Sequence, residues 1–432
     1  MLGDTSIEIN RLPTNSTAKH HPFHRWFSFI AGFSPEYVDL MCNMVTDAKD
    51  RILLDPFSGC GTSLIQAYNN GFDVIGYEPH SFFYIISLAK LMSNIFPDDL
   101  TKINNSIQKG LKNGYLPDKE DNSSLLFLKK LISENHLRAL YGAKAELVAN
   151  HLNDNPLAVL ILSKMLNDCS HSATDGIYKA PTSNKKSVAP MFSLRNICEI
   201  IRCDIDNHYK KGKHKTIVYN KSSEDMSELK DNSISLIVTS PPYLNNFDFA
   251  EMTRMYLYFW GIANNWAEIT DKVRSKLVVN TTTALRGHRN NQSIYRSELP
   301  DYLYKKLDKL VTNLKEKRKY KSGKKDYYLI IYPYFAQMNR ILSECFRVIK
   351  PNGLISIMIA DAALYGEYIE THQILADIMN SIGFSNILME QIRTRGKQWT
   401  LEKREGYSKG LGEYCILASK KYLPSDSFLS NK

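Results

Sequence analysis

The chain has 432 residues, and its 43% hydrophobic content is enough for a sizeable core in one enlarged α/β domain or in more than one domain. A formal net charge of +10 suits a polyanionic partner, although basic proteins without such a partner are about as common. The seven scattered cysteines form no CxxC pair, the N-terminus has no apolar signal core, and no apolar run could span a bilayer. These features exclude disulfide-framework, zinc-binding and membrane-spanning classes, and they predict a cytoplasmic protein without a metal.

The first part of the chain predicts one helix and then a unit of alternating strands and helices. Within an N-terminal segment over residues 1–50, Ser34 is a typical helix N-cap and Pro35 a typical first helical residue. Short apolar runs and glycine turns then predict strands over 51–54 and 73–78 and helices over 63–71 and 82–92. Such alternation is typical of a parallel sheet.

Two segments interrupt this alternation. Residues 96–213 have mixed polarity, with helical stretches over 125–132 and 157–165 and a loop over 174–190, and we interpret them as an insertion. Residues 263–326 are irregular and basic, so much of the positive charge of the chain lies there. Such charge favours contact with a polyanion, but a solvated surface is an equally good interpretation.

The alternation resumes in residues 214–262 and 327–422, which together with residues 51–95 form the predicted core. Strands are predicted over 215–220, 233–240, 354–361, 386–394 and 413–420, and helices over 249–260, 334–353 and 371–382. Pro351 and Gly353 predict the end of the second of these helices. The last two strands predict an antiparallel hairpin at the edge of a mostly parallel sheet, hence an α/β fold.

The sequence DPFSGCGT (Asp55–Thr62) lies where the first strand becomes a helix. Gly59 and Gly61 let the backbone approach a ligand closely, and the amides at the helix start suit a carboxylate group. Glu78 ends the next strand, at the crevice where parallel sheets bind ligands, and its carboxylate can accept hydrogen bonds from both hydroxyls of a ribose. Taken alone, the glycine motif is more often just a tight turn, and a solvated acid is an equally good interpretation of Glu78.

Two other nucleotide-binding patterns are absent from this turn. Leu64 stands where the dinucleotide fingerprint has its third glycine, and no Gly-Lys-Ser or Gly-Lys-Thr follows as in a P-loop. A nucleoside without phosphates fits better, and S-adenosylmethionine is such a nucleoside.

The sequence TSPPY (Thr239–Tyr243) ends a buried strand that we place beside the first strand. Two consecutive prolines cannot continue a sheet, so the chain leaves it rigidly. The Ser240 hydroxyl and the Pro241 carbonyl can then accept hydrogen bonds from an exocyclic amino group and expose its lone pair for methylation. Tyr243 can stack on a base taken out of a helix. A purely structural turn is the alternative for this motif alone.

Methylation at carbon 5 of cytosine is disfavoured by the sequence. That reaction needs a cysteine nucleophile that adds to the ring. The chain contains no Pro-Cys pair, and no cysteine lies near Thr239–Tyr243.

With these motifs the sequence resembles the S-adenosylmethionine-dependent amino-DNA methyltransferases, which methylate N4 of cytosine or N6 of adenine. DPFSGCGT resembles their motif I, GYEP (Gly76–Pro79) their motif II, TSPPY their motif IV, and FHRWFSFIAGFSPEYV their N-terminal motif X. The resemblance covers roughly half of the chain. It implies a Rossmann-like class I methyltransferase fold with a mostly parallel seven-stranded sheet and helical or irregular insertions. It also implies S-adenosyl-L-methionine as cofactor and double-stranded DNA with the target base flipped out.

Carried over residue by residue, the resemblance implies a cofactor site and a catalytic site. The cofactor site would comprise Phe33, Ser34, Asp55, Phe57, Gly59, Gly61, Thr62, Glu78 and Asn220. The catalytic site would comprise Ser240, Pro241, Pro242 and Tyr243. Asn220 departs from the acidic residue that relatives often have, and Ser222 is an alternative for the adenine edge. The serine of TSPPY is more typical of N4-cytosine enzymes.

Three alternatives to an N4-cytosine DNA enzyme stay open. They are an N6-adenine DNA methyltransferase, an RNA or tRNA amino-methyltransferase with the same pocket, and a non-catalytic nucleic-acid-binding module. Both insertions and the loop RTRGKQW (Arg393–Trp399) are candidates for contacts to DNA or for target recognition. The resemblance also implies a restriction–modification or phage-associated role.

Overall fold

The computed structural model describes residues 12–28, 32–45, 51–91, 97–117, 123–175, 178–208, 214–321, 323–395 and 410–421. Parts of some sequence predictions lie outside these ranges. They include the beginning of the N-terminal segment, the last residue of the helix predicted over 82–92, and the basic loop after Arg395. Within the described ranges, no helix is both long and apolar enough to cross a membrane.

The first α-helix begins where its capping residues predict. α1 (Pro35–Asn43) has a proline at its first position, and the Ser34 hydroxyl accepts a hydrogen bond from the Tyr37 N–H at 3.2 Å. The buried side chains of Tyr37 and Met41 pack in one apolar cluster with residues of the central sheet. α1 therefore covers one face of that sheet.

A strand–helix–strand–helix unit follows, as predicted. Its elements are β1 (Ile52–Asp55), α2 (Thr62–Asn69), β2 (Asp73–Tyr77) and α3 (Ser81–Leu91). β1 and β2 are parallel, with Leu54 opposite Ile75. Both strands are apolar along most of their length because helices cover both faces of the sheet.

Residues 96–213 fold mainly as helices that pack beside α3. The elements are α4 (Pro97–Asn113), α5 (Ser123–Lys129), α6 (Glu134–Ala149), α7 (Pro156–Cys169), β3 (Ser172–Asp175), β4 (Tyr178–Asn184) and α8 (Pro190–His208). The loop predicted over 174–190 is wrong in part, because β3 and β4 form an antiparallel hairpin there. α4 and α6 approach so closely that a Cβ at Gly110 would lie 2.4 Å from the Gly142 carbonyl oxygen. The apolar faces of these helices form one buried cluster with α3.

The chain then returns to the sheet and leaves it through a broken helix. The elements are β5 (Thr216–Tyr219), β6 (Ile234–Thr239), α9 (Phe249–Met252) and α10 (Arg254–Trp260). The single helix predicted over 249–260 is therefore wrong. At the break, the Thr253 hydroxyl donates to the Phe249 carbonyl at 2.8 Å, and a threonine bonded back in this way bends a helix.

Residues 263–326 are mostly helical, so the prediction of an irregular segment is wrong. The α-helices are α11 (Trp266–Lys272), α12 (Gln292–Ser297) and α13 (Asp301–Arg318), and short 3-10 helices cover Arg274–Lys276, Thr282–Ala284 and Arg289–Asn291. One of the basic residues in this segment, Arg274, is only 2% exposed. Its Nε donates to Asp248 at 2.8 Å, and its guanidinium lies 4.2 Å from the centre of the Trp266 ring. Arg274 therefore stabilises the fold and is not a surface charge.

The C-terminal part completes the sheet. Its elements are α14 (Ile331–Val348), β7 (Ile349–Ala360), β8 (Ala362–Leu364), β9 (Glu367–Ile369), α15 (Thr371–Ile382), β10 (Ser385–Thr394) and β11 (Gly412–Ser419). The predicted end of the helix over 334–353 is wrong, because α14 ends at Val348. A residue before proline disfavours the helical conformation, and Lys350 precedes Pro351. The chain is already extended at Ile349, and Pro351 lies where the pairing of β7 with β6 shifts register.

The seven strands of the main sheet have the order β10–β11–β7–β6–β1–β2–β5. β5, β2, β1, β6 and β7 are parallel, and β11 is antiparallel to both of its neighbours. The predicted α/β Rossmann-like fold, with a mostly parallel seven-stranded sheet and a C-terminal antiparallel hairpin, is therefore confirmed. Because β1, β2 and β6 are parallel neighbours, the chain segments that follow them leave the same edge of the sheet.

The buried ion pair of Arg274 gives a test of the segment over 263–326. Arg274→Met removes the charge that compensates Asp248, which is 7% exposed, so we expect the free energy of unfolding to fall by about 3–5 kcal/mol. Arg286→Met breaks an exposed ion pair with Asp271 and should change the free energy of unfolding by less than about 1 kcal/mol. Urea unfolding measures both values. Equal, small losses for the two variants would contradict a structural role for Arg274.

Candidate active site

A cavity of about 970 Å³ opens at the carboxyl edge of the sheet, above β1, β2 and β6. Both sequence motifs line it. The predicted site residues at its wall are Phe33, Asp55, Phe57, Gly59, Thr62, Glu78, Ser240, Pro241, Pro242 and Tyr243. The glycine turn after β1 and the double-proline turn after β6 therefore face a common space. Ser34, Gly61 and Asn220 are the predicted site residues that do not line this cavity.

The carboxylate of Asp55 links the two turns. Its Oδ1 accepts hydrogen bonds from the Phe57 N–H at 2.9 Å and from the Thr239 hydroxyl at 2.6 Å, and its Oδ2 accepts one from the Ser63 hydroxyl. Asp55 is buried, and this burial raises its pKa to about 6 even though the three hydrogen bonds act in the opposite direction. Both carboxylate oxygens are engaged inside the protein, so Asp55 positions the two turns.

The two motif I glycines have different surroundings. Gly59 has a φ of +51°, and its N–H donates to the Glu78 carboxylate at 2.8 Å. Gly61 has a φ of +84° and directly precedes α2. A Cβ at Gly61 would lie 3.2 Å from the Ser87 Cβ, so this glycine allows α2 and α3 to pack closely. Gly59 faces the cavity, whereas Gly61 serves the packing of the helices behind it.

Glu78 lies at the end of β2 and is 6% exposed. One of its carboxylate oxygens accepts the Gly59 N–H, and the other accepts the His80 N–H at 2.8 Å. Burial raises the pKa of Glu78 to about 8. The Asn220 side chain donates to the Glu78 main-chain carbonyl at 2.8 Å, so Asn220 supports this residue from outside the cavity. The neighbouring Ser222 lines the cavity instead.

The double-proline turn is held from two sides. The Tyr334 hydroxyl donates to the Pro242 carbonyl at 2.9 Å. The Asn280 side chain donates to the main-chain carbonyls of Tyr243 at 3.3 Å and Phe247 at 2.9 Å. Burial raises the pKa of Tyr243 above its usual range, and the neighbouring Ser240 side chain acts in the opposite direction. The side chains of Ser240 and Tyr243 therefore lie close together in the cavity wall. Neither Tyr334 nor Asn280 stands in a sequence pattern that indicates this role.

Two arginines of the cavity wall, Arg393 and Arg395, were not predicted as site residues. The Arg395 guanidinium lies 5.8 Å from the centre of the Tyr243 ring, and it donates to the Asn246 side chain at 3.3 Å. Arg393 donates to the buried Glu413 carboxylate, and both of these residues line the cavity. Burial lowers the pKa of Arg395. The sequence indicated the loop that begins at Arg393 only as a basic candidate for DNA contact. Its position beside the Thr239–Tyr243 motif depends on the pairing of β10 with β11, and the sequence alone does not show that position.

Three buried basic side chains of the wall were also missed. They are His24, His80 and Lys90. Burial lowers the pKa of each histidine to about 3 and the pKa of Lys90 to about 8. His24 stands among other basic residues, and His80 and Lys90 are isolated basic residues, so the usual exposure of basic side chains gave no reason to expect any of the three in a buried wall. In the described part of the chain, no group of three or more His, Cys, Asp or Glu side chains is arranged to hold a metal ion.

Substitution of Thr239 by valine tests the link between the turns. Thr239→Val removes one donor from the buried Asp55 carboxylate, so we expect a loss of about 1–3 kcal/mol of folding stability at pH 8. Near pH 5 Asp55 is mostly protonated, because its pKa is about 6, and the loss should be smaller there. Thr312→Val, at an exposed position on α13, is the control. A loss that does not depend on pH would contradict this account of the link.

No family model matches this chain. It is 23% identical to the type II methyltransferase M.BsoBI of Geobacillus stearothermophilus, over 98% of this chain and 88% of that protein. It is 21% identical to the type II methyltransferase M.MvaI of Kocuria varians, over 98% and 95% of the two chains. It is 23% identical to the type II methyltransferase M.AvaI of a Nostoc species, over 85% and 80%.

The first two similarities extend well beyond the two motifs, because at 98% of the chain they include both insertions and the closing hairpin. The fold described above is consistent with them. The chain is therefore related to type II methyltransferases over nearly its whole length, and the resemblance to methyltransferases that its sequence motifs predict is confirmed.

Proposed function

We propose that this protein transfers a methyl group from S-adenosylmethionine to an exocyclic amino group of a base in double-stranded DNA, with N4 of cytosine as the preferred target. One observation carries the proposal: the glycine turn and the Ser240–Tyr243 turn line the same cavity. A donor held by the first turn and an amino group held by the second can then meet without a covalent intermediate on the protein. The relatives named type II methyltransferases support the same reaction class.

The residues at the glycine turn fit the proposed cofactor. Gly59 has no Cβ and a positive φ, so the backbone can approach a ligand closely there. The Glu78 carboxylate is suited to accept hydrogen bonds from ribose hydroxyls, and Phe33 and Phe57 offer apolar walls. Ser222 and Ser223 line the side where an adenine edge would lie. When bound, S-adenosylmethionine supplies a methyl group on a positively charged sulfur, which needs no further activation.

The double-proline turn supplies acceptors for the target amino group. The nitrogen of an exocyclic amino group is a poor nucleophile because its lone pair is delocalised into the ring. Acceptors fixed on its N–H groups can turn this lone pair out of the ring plane. We assign that role to the Ser240 hydroxyl and the Pro241 carbonyl. The Pro242 carbonyl already accepts a hydrogen bond from Tyr334, so its contribution is to fix the turn.

The side chains around Tyr243 favour cytosine as the target. Tyr243 and Phe247 offer aromatic faces for a flipped base. Beside its amino group, cytosine carries two acceptors in a row, N3 and O2, whereas adenine carries only N1 on the corresponding edge. A guanidinium such as Arg395, 5.8 Å from the Tyr243 ring, matches two adjacent acceptors better than one. The serine of TSPPY agrees with this assignment.

We also propose that the two insertions, residues 96–213 and 263–326, share the recognition of DNA. Lys276 supports this proposal for the second insertion, because it is exposed and lies at the rim of the cavity. An exposed lysine at this place suits a phosphate next to the flipped base. The restriction–modification role of this protein is part of the same proposal.

Substitution of Ser240 tests the catalytic assignment. Ser240→Ala removes one acceptor for the amino group but leaves the glycine turn intact. We therefore expect methyl transfer to DNA to slow by about 100-fold or more, with cofactor affinity within about twofold of the native value. Transfer of labelled methyl and calorimetric titration measure the two quantities.

Ser343→Ala, on the exposed face of α14, is the control for Ser240→Ala. Parallel assays with matched DNA and RNA duplexes show which nucleic acid is the substrate. Unchanged turnover of Ser240→Ala would contradict the assigned role. Transfer to RNA alone would contradict DNA as the substrate.

The raised pKa of Glu78 predicts a pH dependence of nucleoside binding. Ribose hydroxyls donate to the ionised carboxylate, so binding favours the deprotonated form and releases a proton below pH 8. Affinity for 5′-methylthioadenosine should therefore rise from pH 6 through about pH 8 and then level off. Titration calorimetry in buffers of different ionisation enthalpy measures the affinity and the proton release. Glu78→Gln should bind weakly and show no such slope, and a flat profile for the native protein would refute the ribose assignment.

A further inference from the structure

Lys90 is a buried cation at the wall of the proposed cofactor cavity. It lies on α3 and is 7% exposed. Its ammonium donates to the main-chain carbonyls of Phe27 at 2.7 Å and His24 at 3.4 Å. A lysine ammonium has three N–H donors, so these two hydrogen bonds leave capacity for one more acceptor.

In the part of the chain that the structure describes, the charge of Lys90 has no acidic partner. Among the residues that the structure describes, no carboxylate oxygen lies within 4.0 Å of its ammonium nitrogen. A buried charge without a counter-ion is costly, and burial lowers the pKa of Lys90 to about 8. At neutral pH the side chain is still mostly protonated. The cavity wall therefore holds a positive charge that an anionic group of a ligand would compensate.

The position of Lys90 indicates which part of a ligand it would meet. Lys90 lies near Cys60, the residue between the two motif I glycines, and both residues line the cavity. Thr62 and Ser63, at the N-terminus of α2, line the same cavity. The amides at this helix start carry a partial positive charge that adds to the charge of Lys90. Glu78, the proposed partner of the ribose, is bonded instead to the Gly59 N–H of the glycine turn.

We propose that Lys90 binds the α-carboxylate of the amino-acid part of the cofactor. The inference rests on the proposed function, because it assigns a residue to the cofactor of that reaction. It adds an electrostatic contact that neither motif I nor motif IV contains. The two main-chain carbonyls hold the ammonium in place, so the lysine needs little reordering when the carboxylate binds.

The alternative role of Lys90 is structural. By bonding to His24 and Phe27, it fastens the N-terminal segment to α3. A purely structural role predicts that removal of the ammonium weakens every nucleoside ligand equally. A carboxylate-binding role predicts a loss only for ligands that carry the carboxylate, so a pair of such ligands separates the two roles.

The experiment measures the binding of S-adenosylhomocysteine and 5′-methylthioadenosine by calorimetry at pH 7. The two share the thioether nucleoside, but only the first carries the amino acid. For Lys90→Met we expect the dissociation constant of S-adenosylhomocysteine to rise roughly 10- to 100-fold, as for the loss of one charge-assisted hydrogen bond. The constant for 5′-methylthioadenosine should stay within about twofold. Lys90→Arg should recover part of the loss.

Lys144→Met is the matched control. Lys144 is also largely buried, with its pKa lowered to about 8, and it donates to the Phe259 carbonyl at 2.7 Å, but it does not line the cavity. The Lys144→Met variant should bind both ligands with the affinities of the native protein. Equal losses for both ligands in Lys90→Met, or no loss for either, would overturn the inference and leave the proposed function standing. Failure of the native protein to bind either ligand would overturn the proposed function as well.

A second measurement needs no variant and covers the case in which Lys90→Met does not fold. The native protein is titrated with S-adenosylhomocysteine and with its decarboxylated analogue, which keeps the amino group. We expect the analogue to bind at least about tenfold more weakly. Equal affinities would show that the carboxylate is not recognised and would overturn the inference.

Discussion

The buried carboxylate of Asp55 joins the two halves of the cavity. It accepts the Phe57 N–H of the glycine turn at 2.9 Å and the Thr239 hydroxyl of the double-proline turn at 2.6 Å. A carboxylate in this position is tolerated only because donors surround it. Since β1 and β6 are neighbours in the sheet, the same hydrogen bonds that satisfy this charge set the distance between the two turns. The geometry of the proposed transfer thus depends on a contact within the core.

The charged groups of the cavity are separated in a way that matches the parts of the proposed ligands. Glu78, the acid beside the glycine turn, would meet ribose hydroxyls. Lys90, in the last turn of α3, lines the cavity near the glycine turn, and there we place the carboxylate of the amino acid. Arg395 lies beside Tyr243, where we place the acceptors of a cytosine. Before any ligand binds, Glu78 and Lys90 are buried and Arg395 is half-buried, and this burial shifts the pKa of each of the three.

The parts of the structure that the sequence predicted are those governed by neighbouring residues. The cap at Ser34, the strands beside the two motifs and the parallel order of β1, β2 and β6 follow from local patterns. The break at Thr253 was missed because it depends on a side-chain hydrogen bond. The shifted register at Pro351 was missed because it depends on pairing with β6.

The composition of the site shows the same division between local pattern and tertiary contact. Ten motif residues line the cavity, but Ser34, Gly61 and Asn220 support helices or a neighbouring main chain instead. Lys90 and Arg395 come from the end of a helix and the edge of the sheet, and only the tertiary structure brings them to the motifs.

The proposed reaction is tested most directly by incubating the protein with duplex DNA and methyl-labelled S-adenosylmethionine, and then identifying the labelled nucleosides by mass spectrometry. We predict N4-methylcytosine. Label in 5-methylcytosine, or no labelled nucleoside at all, would contradict transfer to an amino group held at Ser240.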